Sequence, residues 1–87
     1  MKAKHYVQIS ITCRSAEEMQ KALEAVNYHL ETLNPQIKRA DNRLIVQVPP
    51  LDTDLFTPDE ACNIIRQTLA QSLTFTTDWK CTLHTIN

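Results

Sequence analysis

Cys13 is the side chain whose neighbours in the sequence could make it reactive. It lies beside Arg14 and directly before a predicted helix, and both a cation and a helix N-terminus lower the pKa of a thiol. A small enzyme that uses Cys13 as a nucleophile is therefore one candidate function. However, Cys13 also continues the alternating apolar series of residues 7–11, and free cysteines are among the most buried residue types. No base and orienting group accompany it in the sequence, so we favour a core role and predict that the chain is not an enzyme.

The cysteines, histidines and carboxylates lack the spacing of known metal sites. Heavy-metal-associated domains carry Cys-x-x-Cys in their first strand–helix turn, whereas the residue three positions after Cys13 is alanine. Cys81 and His84 are three apart in a predicted strand and therefore point to opposite faces. Asp52 and Asp54 lack the glycine and the further ligands of a calcium loop. We therefore predict no metal site and no cofactor.

The sequence contains no glycine, whereas about six would be expected for a chain of this length. Loops that wrap phosphate need glycine for close approach of the backbone, so a nucleotide-binding loop is excluded. The first turns of the two predicted helices carry Glu17, Glu18, Asp59 and Glu60, whose charges repel an anion. Phosphate-bound cofactors and phosphoryl transfer are therefore not expected.

Hydrophobic periodicity and capping signals divide the 87 residues into strands and helices. Alternating apolar residues indicate strands, and the capping boxes that begin at Ser15 and Thr57 indicate helix starts. Asp41-Asn42 suits the positive φ of a tight hairpin turn. The pattern predicts six elements: strand 5–13, helix 15–33, strand 36–40, strand 43–48, helix 57–73 and strand 79–86.

The element order β-α-β-β-α-β with short connections resembles the ferredoxin-like superfold, a split β-α-β two-layer sandwich. Right-handed crossovers then give one antiparallel sheet with the strand order 4-1-3-2 and both helices on one face. We expect an α+β fold and a single domain over residues 1–87. The superfold serves many unrelated functions and does not by itself imply one.

The sheet face turned away from the helices is the principal candidate site. It is neither as charged as a solvated surface nor as apolar as a core, and sheets commonly find a further layer to cover them. We predict that this face, or the edge strand 79–86, binds a protein partner or a second copy of the chain in a homodimer. The predicted face residues are Tyr6, Gln8, Ser10, Arg43, Ile45, Gln47, Lys80 and His84.

The acidic loop 51–60 is a second candidate docking segment, through Asp52, Asp54 and Phe56. Loops often carry function, but a small domain needs its apolar residues for the core, so Leu55 and Phe56 are more simply explained as core residues. A short chain without a catalytic set suits a non-catalytic regulator, adaptor or inhibitor that binds protein. A chain of this kind could be encoded by a phage or a mobile element.

A nucleic-acid-binding protein is the alternative function, through the N-terminal arm and the basic hairpin. The residues concerned are Lys2, Lys4, Lys38, Arg39 and Arg43. The RNA-recognition motif has the same topology and stacks bases on aromatic residues of two strands, whereas here strand 43–48 has no aromatic residue and Tyr6 is the one ring on the predicted open face. The net charge of −1 supplies no overall attraction to a polyanion.

The cysteine usage and the hydropathy pattern predict a cytoplasmic protein. Cys13, Cys62 and Cys81 form an odd and sparse set, which is no disulfide framework and fits free thiols in a reducing compartment. No apolar run reaches the roughly 18 residues of a transmembrane helix. The basic residues 1–5 precede an alternating rather than a continuous apolar segment, so they do not resemble a signal peptide. We expect no membrane contact.

Overall fold

The structure is a computed structural model, and it describes residues 4–49, 57–76 and 78–86. Its elements are β1 (Lys4–Thr12), α1 (Ala16–Leu30), β2 (Gln36–Ala40), β3 (Arg43–Val48), α2 (Pro58–Ala70) and β4 (Trp79–Ile86). All six predicted elements are present. Both helices end earlier than predicted, because a 3₁₀ turn, Glu31–Leu33, follows α1 and because the amides of Ser72 and Leu73 both turn back to the carbonyl of Leu69.

The strands form one antiparallel sheet in the order β2-β3-β1-β4. This is the predicted order 4-1-3-2 read from the opposite edge. The central strand β1 pairs with β3 over residues 7–12 and with β4 over residues 4–11. The fold is therefore α+β, with a four-stranded antiparallel sheet and two helices.

The hydrophobic core lies between one face of the sheet and the two helices. Alternation along each strand sends every second residue to this face, and both helices contribute to the same buried cluster. The cluster consists of Val7, Ile9, Ile11, Cys13, Ala22, Val26, Leu30, Leu44, Val46, Val48, Cys62, Ile65, Leu69, Leu73 and Cys81. In each strand, the residues that alternate with these core residues therefore lie on the opposite face of the sheet.

Side-chain caps fix where each helix starts. Ser15 Oγ accepts the Glu18 amide at 3.2 Å, and the Glu18 carboxylate accepts the Arg14 amide at 3.0 Å. Thr57 and Glu60 form the reciprocal capping box predicted from the sequence, with bonds of 3.2 and 3.4 Å. A cap of this kind stabilises a helix by about 1 kcal/mol.

Two turn residues adopt the left-handed conformation without glycine. Asn34, after the 3₁₀ turn, has a φ of 52°, and Asp41, in the β2–β3 turn, has a φ of 53°. This conformation costs an ordinary L-residue about 1–2 kcal/mol, but asparagine and aspartate tolerate it because their side chains hydrogen-bond locally. Asn34 and Asp41 thus close two turns of the described part of the chain without glycine.

Replacing Asn34 with alanine is expected to lower the free energy of unfolding by about 1 kcal/mol, because alanine tolerates a positive φ less well than asparagine does. The matched variant Asn34→Gly should be neutral or slightly stabilising, since glycine adopts a positive φ freely. Urea denaturation of both variants measures the difference. A larger loss for glycine than for alanine would contradict the left-handed assignment.

Candidate functional site

The sheet face opposite the helices, called the open face, is formed by alternate residues of all four strands. The pairing register decides which residues share it, because neighbouring residues of a strand point to opposite sides. The open face consists of Tyr6, Gln8, Ser10, Thr12, Gln36, Lys38, Ala40, Arg43, Ile45, Gln47, Lys80, Thr82 and His84. The register thus brings together all eight residues that the sequence assigns to partner binding, and Lys38, from the nucleic-acid alternative, joins them.

One cross-strand row of the open face has a lysine at each sheet edge. Lys38 pairs with Ile45, Ile45 with Ser10, and Ser10 with Lys80. Both lysines are exposed, whereas Ile45 and Ser10 are half-buried. Neighbouring strands are about 4.8 Å apart, so the two lysine backbones are separated by about 14 Å. This row presents a small apolar centre between two cations.

The next row consists largely of amide side chains. Gln36 pairs with Gln47, Gln47 with Gln8, and Gln8 with Thr82. Gln47 Nε2 donates to Gln8 Oε1 at 3.3 Å, and Thr82 Oγ1 donates to the Gln8 carbonyl at 3.4 Å. Each glutamine has more donors and acceptors than this bond uses, so the row offers hydrogen bonds to a partner.

A stacked pair of rings forms the third row. The rings of Tyr6 and His84 have centroids 5.0 Å apart and an interplanar angle of 16°. A hydrogen bond of 2.8 Å between His84 Nε2 and Thr82 Oγ1 holds the imidazole in place. The pair presents a flat, amphipathic surface of the kind that is enriched in protein interfaces.

Charge is separated between the sheet and the helices. The strands contain no Asp or Glu, and their Lys and Arg residues are Lys4, Lys38, Arg39, Arg43 and Lys80. The helices α1 and α2 contain Glu17, Glu18, Glu24, Asp59 and Glu60 against Lys21 and Arg66. The overall net charge of −1 therefore conceals a cationic sheet and an anionic helix layer.

Two carboxylates adjoin one end of this cationic sheet. Asp41 lies in the turn before Arg43, and the Asp78 carbonyl accepts the amide of Thr12, which pairs with Arg43. Lys38 and Lys80 lie in the next row of the open face, further from this end. Among the described residues, neither lysine forms an ion pair. They are therefore the cations best placed to meet an anionic partner.

The basic residues of the hairpin are divided between two faces. Lys38 and Arg43 lie on the open face, whereas Arg39 pairs with Leu44, a core residue, and so lies on the helix side of the sheet. Lys2 lies outside the described residues, and the side chain of Lys4 is not among those described. The residues of the nucleic-acid alternative thus do not share one face.

Cys13 is a core residue in the structure. Its side chain is 2% exposed, and its amide donates to the Asn42 carbonyl at 2.7 Å. Burial, and then the Glu18 carboxylate, raise the pKa of the Cys13 thiol. The suggestion that Arg14 and the helix N-terminus lower this pKa is therefore wrong, because burial outweighs them. A raised pKa leaves less of the thiol as the nucleophilic thiolate at neutral pH.

His29 and Ser72 form a contact that the sequence analysis missed. His29 Nε2 and Ser72 Oγ are 2.8 Å apart, which ties α1 to the turn after α2. A serine beside a histidine could be part of a catalytic triad, but a third group must orient the histidine. Among the described residues, no carboxylate bonds to Nδ1 of His29. The rings of Tyr28 and His29 meet edge-on, with centroids 4.9 Å apart. We therefore interpret this contact as a hydrogen bond that holds α1 against the turn after α2.

The docking loop, metal ligands and membrane-spanning helices are the remaining subjects of the sequence predictions. The loop residues Asp52, Asp54 and Phe56 lie outside the described residues, so the docking loop stays a prediction. Within the described ranges, no three His, Cys, Asp or Glu side chains come together to hold a metal ion. No helix of the described part of the chain is long and apolar enough to cross a membrane.

The edge strand β4 is partly covered by Arg66 of α2. The Asp78 carbonyl bonds to β1, and bonding directions alternate along a strand, so the Cys81 carbonyl faces the free side of β4. Arg66 Nη2 donates to this carbonyl at 2.8 Å, and Nη1 donates to Asn63 Oδ1 at 2.7 Å. A covered edge resists pairing with a strand of another chain, so the open face is the better candidate for docking.

Arg66→Ala is expected to increase self-association, because it exposes the carbonyl of Cys81 to strands of other molecules. It should also lower the free energy of unfolding by about 1 kcal/mol through the lost hydrogen bond. Light scattering across a concentration series measures the association, with Arg14→Ala as a matched exposed control. If both variants had the same mass at every concentration, the protective role of Arg66 would be wrong.

Cys62 and Cys81 form a buried pair of thiols between α2 and β4. Their Sγ atoms are 3.9 Å apart, and the residues are 3% and 5% exposed. Burial, and next the neighbouring Cys62, raise the pKa of the Cys81 thiol to about 12. Arg66 Nη2 lies 3.7 Å from Cys62 Sγ. All three cysteines are free.

The raised pKa of Cys81 makes stability sensitive to alkali. In the unfolded chain a thiol has a pKa of about 8.5, whereas Cys81 in the folded chain has a pKa of about 12. The contribution of the buried neutral Cys81 thiol to the free energy of unfolding is therefore fully present below about pH 8.5 and is lost as the pH rises toward 12. Urea denaturation at pH 8 and at pH 10.5 measures how much the free energy of unfolding falls between these pH values. We expect a smaller fall for Cys81→Ala than for the unchanged chain. Equal losses would contradict the buried, neutral thiol.

Comparison of the chain with known protein families, with curated proteins and with solved structures found no match.

Proposed function

We propose that the chain is a non-catalytic protein-binding module whose open face docks on an acidic surface of another protein. The observation that carries this proposal is the charge of the open face: it contains Lys38, Arg43 and Lys80, and the sheet strands contain no acidic residue. Complementary potentials steer two proteins together and suppress wrong partners. In this proposal the α+β fold belongs to the ferredoxin-like superfold. The protein acts as a cytoplasmic regulator, adaptor or inhibitor.

The composition of the open face supports protein rather than a small molecule as the ligand. Ile45 offers an apolar contact, Gln8 and Gln47 offer hydrogen bonds, and Tyr6 with His84 offers a rigid aromatic surface. Such a mixture of apolar, amide and aromatic groups is typical of the centre of a protein interface. As far as the described residues show, the open face is one side of a sheet, whereas small-molecule sites are concave.

The size of the open face indicates a modest affinity. The four strands have 9, 5, 6 and 8 residues. At about 3.3 Å per residue and about 4.8 Å between strands they give a face of roughly 440 Å². A standard stable interface covers about 800 Å² on each partner. Docking through the open face alone therefore corresponds to a transient complex, with a partner that associates and dissociates readily.

A homodimer through two open faces is less favourable than a complex with an acidic partner. Two copies facing each other would oppose cations with cations, since the strands supply no carboxylate to pair with Lys38, Arg43 or Lys80. Like charges placed together across an interface are costly. Light scattering at high concentration distinguishes the two cases, and a monomer is expected.

Site-specific photo-crosslinking tests the proposal in the native host. A benzophenone amino acid in place of Ile45 lies at the centre of the open face, and the same amino acid in place of Asn27 lies on the exposed side of α1. We expect a protein to be trapped at Ile45 and not at Asn27, with Asp or Glu residues around the crosslinked position. Equal trapping at both positions, or no protein at Ile45, would contradict the proposal.

Single-stranded nucleic acid is the second candidate for the same face. The stacked Tyr6–His84 rings, with Lys38 and Lys80 in a nearby row, resemble in kind the aromatic and cationic surfaces that bind bases and phosphates. A gel shift with generic RNA and DNA at low salt tests it, because phosphate contacts are strongest there. Absence of binding at low salt removes this candidate, and RNA trapped at Ile45 would favour it over protein.

A further inference from the structure

The buried thiols of Cys62 and Cys81 are adjacent although they belong to different elements. Cys62 lies on the first half of α2, whereas Cys81 lies in β4, next to the central strand β1. Their Sγ atoms are 3.9 Å apart, so each is the other's direct neighbour. The third cysteine, Cys13, is buried at the end of β1 and has no sulfur contact among the described residues.

We propose that Cys62 and Cys81 are a site of oxidative modification, at which a two-electron thiol oxidant produces an intrachain disulfide. The reaction removes one hydrogen from each thiol and forms one S–S bond. With glutathione disulfide as the oxidant, two molecules of reduced glutathione are released. With hydrogen peroxide, two molecules of water are formed. This site is independent of the proposed partner-binding function.

The geometry requires only a small approach of the two sulfur atoms. A disulfide bond is about 2.05 Å long, so the Sγ atoms must move together by about 1.9 Å from their present separation of 3.9 Å. Cysteine side chains cover such a distance by rotation about χ1, together with small shifts of α2 against β4. The pair lies where a helix contacts an edge strand, and an edge strand has a neighbouring strand on one side alone.

A surface depression adjoins the thiol pair. It is lined by Arg66, Trp79, Lys80, Thr82 and Cys81, and Cys81 is 5% exposed. The depression is bordered by two cations, which attract anionic oxidants such as glutathione disulfide. Arg66 Nη2 also lies 3.7 Å from Cys62 Sγ, so a positive charge adjoins the pair.

The neutral state of the Cys81 thiol slows oxidation of the pair. The thiolate is the reacting form, and burial together with Cys62 raises the pKa of Cys81 to about 12. Formation of the disulfide at neutral pH is therefore slow and depends on a sustained excess of oxidant. A reduced pair in the structure and a cross-linked pair under oxidation are compatible.

Equilibration in glutathione redox buffers, followed by alkylation and intact-mass measurement, tests the proposal. We expect the oxidised chain to remain a monomer, to lose two of its three alkylation sites and to keep Cys13 alkylated. Trypsin should yield a disulfide that joins peptide 44–66 to peptide 81–87. The equilibrium constant for cross-linking should be about tenfold larger in the folded chain than in guanidinium chloride, since the fold holds the two thiols together.

Three results would overturn the proposal. They are a cross-link that includes Cys13, a disulfide between two chains as the main product, and an equilibrium constant no larger in the folded chain than in the unfolded chain. The comparison of folded and unfolded chain needs no variant. Cys13→Ala supplies a second control: it should retain the cross-link, whereas Cys62→Ala should lose it.

Discussion

Replacing Ile9 with alanine is expected to lower the free energy of unfolding by about 2–5 kcal/mol, the range observed for large-to-small substitutions in cores. Ile9 is fully buried on the central strand β1, between the sheet and both helices. A domain of this size has a total stability of about 4–13 kcal/mol, so this one change removes a large part of it. Thermal and urea denaturation measure the loss.

Ile45 provides the matched control on the opposite face of the same sheet. It pairs with Ser10, the residue after Ile9, and it is half-buried on the open face. Ile45→Ala should cost about 1 kcal/mol or less, because it leaves no closed cavity. Equal losses for the two variants would mean that both faces of the sheet are buried, which is contrary to a free open face.

Reversing the two edge lysines of the open face is expected to weaken binding of the partner about thirtyfold, which corresponds to about 2 kcal/mol. The double variant Lys38→Glu and Lys80→Glu replaces both cations at the ends of the Ile45 row by carboxylates. An acidic partner surface then meets repulsion where it met attraction. Titration calorimetry with the protein trapped at Ile45 measures the change.

The control for this variant has the same change in net charge at a different place. Arg14→Glu and Lys21→Glu alter two exposed cations at the start of α1 and within it. This control should change the affinity by less than about threefold, since exposed charges distant from an interface are screened by salt. Equal effects of the two double variants would mean that net charge, and not the open face, governs binding.

Much of the fold could be predicted because its local signals agree with each other. Alternation along residues 5–13 and 43–48 predicts which side chains share a face, and the Thr57–Glu60 capping box predicts the start of α2. Asp41 takes the positive φ that a turn without glycine requires. The strand order followed from the element order and crossover handedness, and the structure has the same order.

The parts of the site that were missed depend on contacts between elements distant in the sequence. The stack of Tyr6 on His84 and the bond between Gln8 and Gln47 need the register of three strands. The contact of His29 with Ser72 needs the position of α1 relative to the end of α2. Periodicity within one segment contains no information about such registers.

The separation of basic strands from acidic helices could have been predicted from the sequence, and it was missed for a different reason. The net charge of −1 averages a basic sheet with acidic helices. Counting charges for each predicted element separately shows the difference, since none of the predicted strands contains Asp or Glu. The burial of Cys13 was predicted from its place in the alternating series and is confirmed. The direction of its pKa shift needed the structure, because burial and a helix N-terminus act on a thiol in opposite directions.

The most direct measurement of the central claim uses the side-chain amides of the glutamines as probes in a ¹H–¹⁵N NMR titration with the trapped partner. Gln8 and Gln47 lie at the centre of the open face, whereas Gln20 and Gln67 are exposed on the two helices. We predict that the NH₂ signals of Gln8 and Gln47 shift or broaden as the partner is added, and that those of Gln20 and Gln67 stay unchanged. Changes at Gln20 and Gln67, with Gln8 and Gln47 unaffected, would contradict docking through the open face.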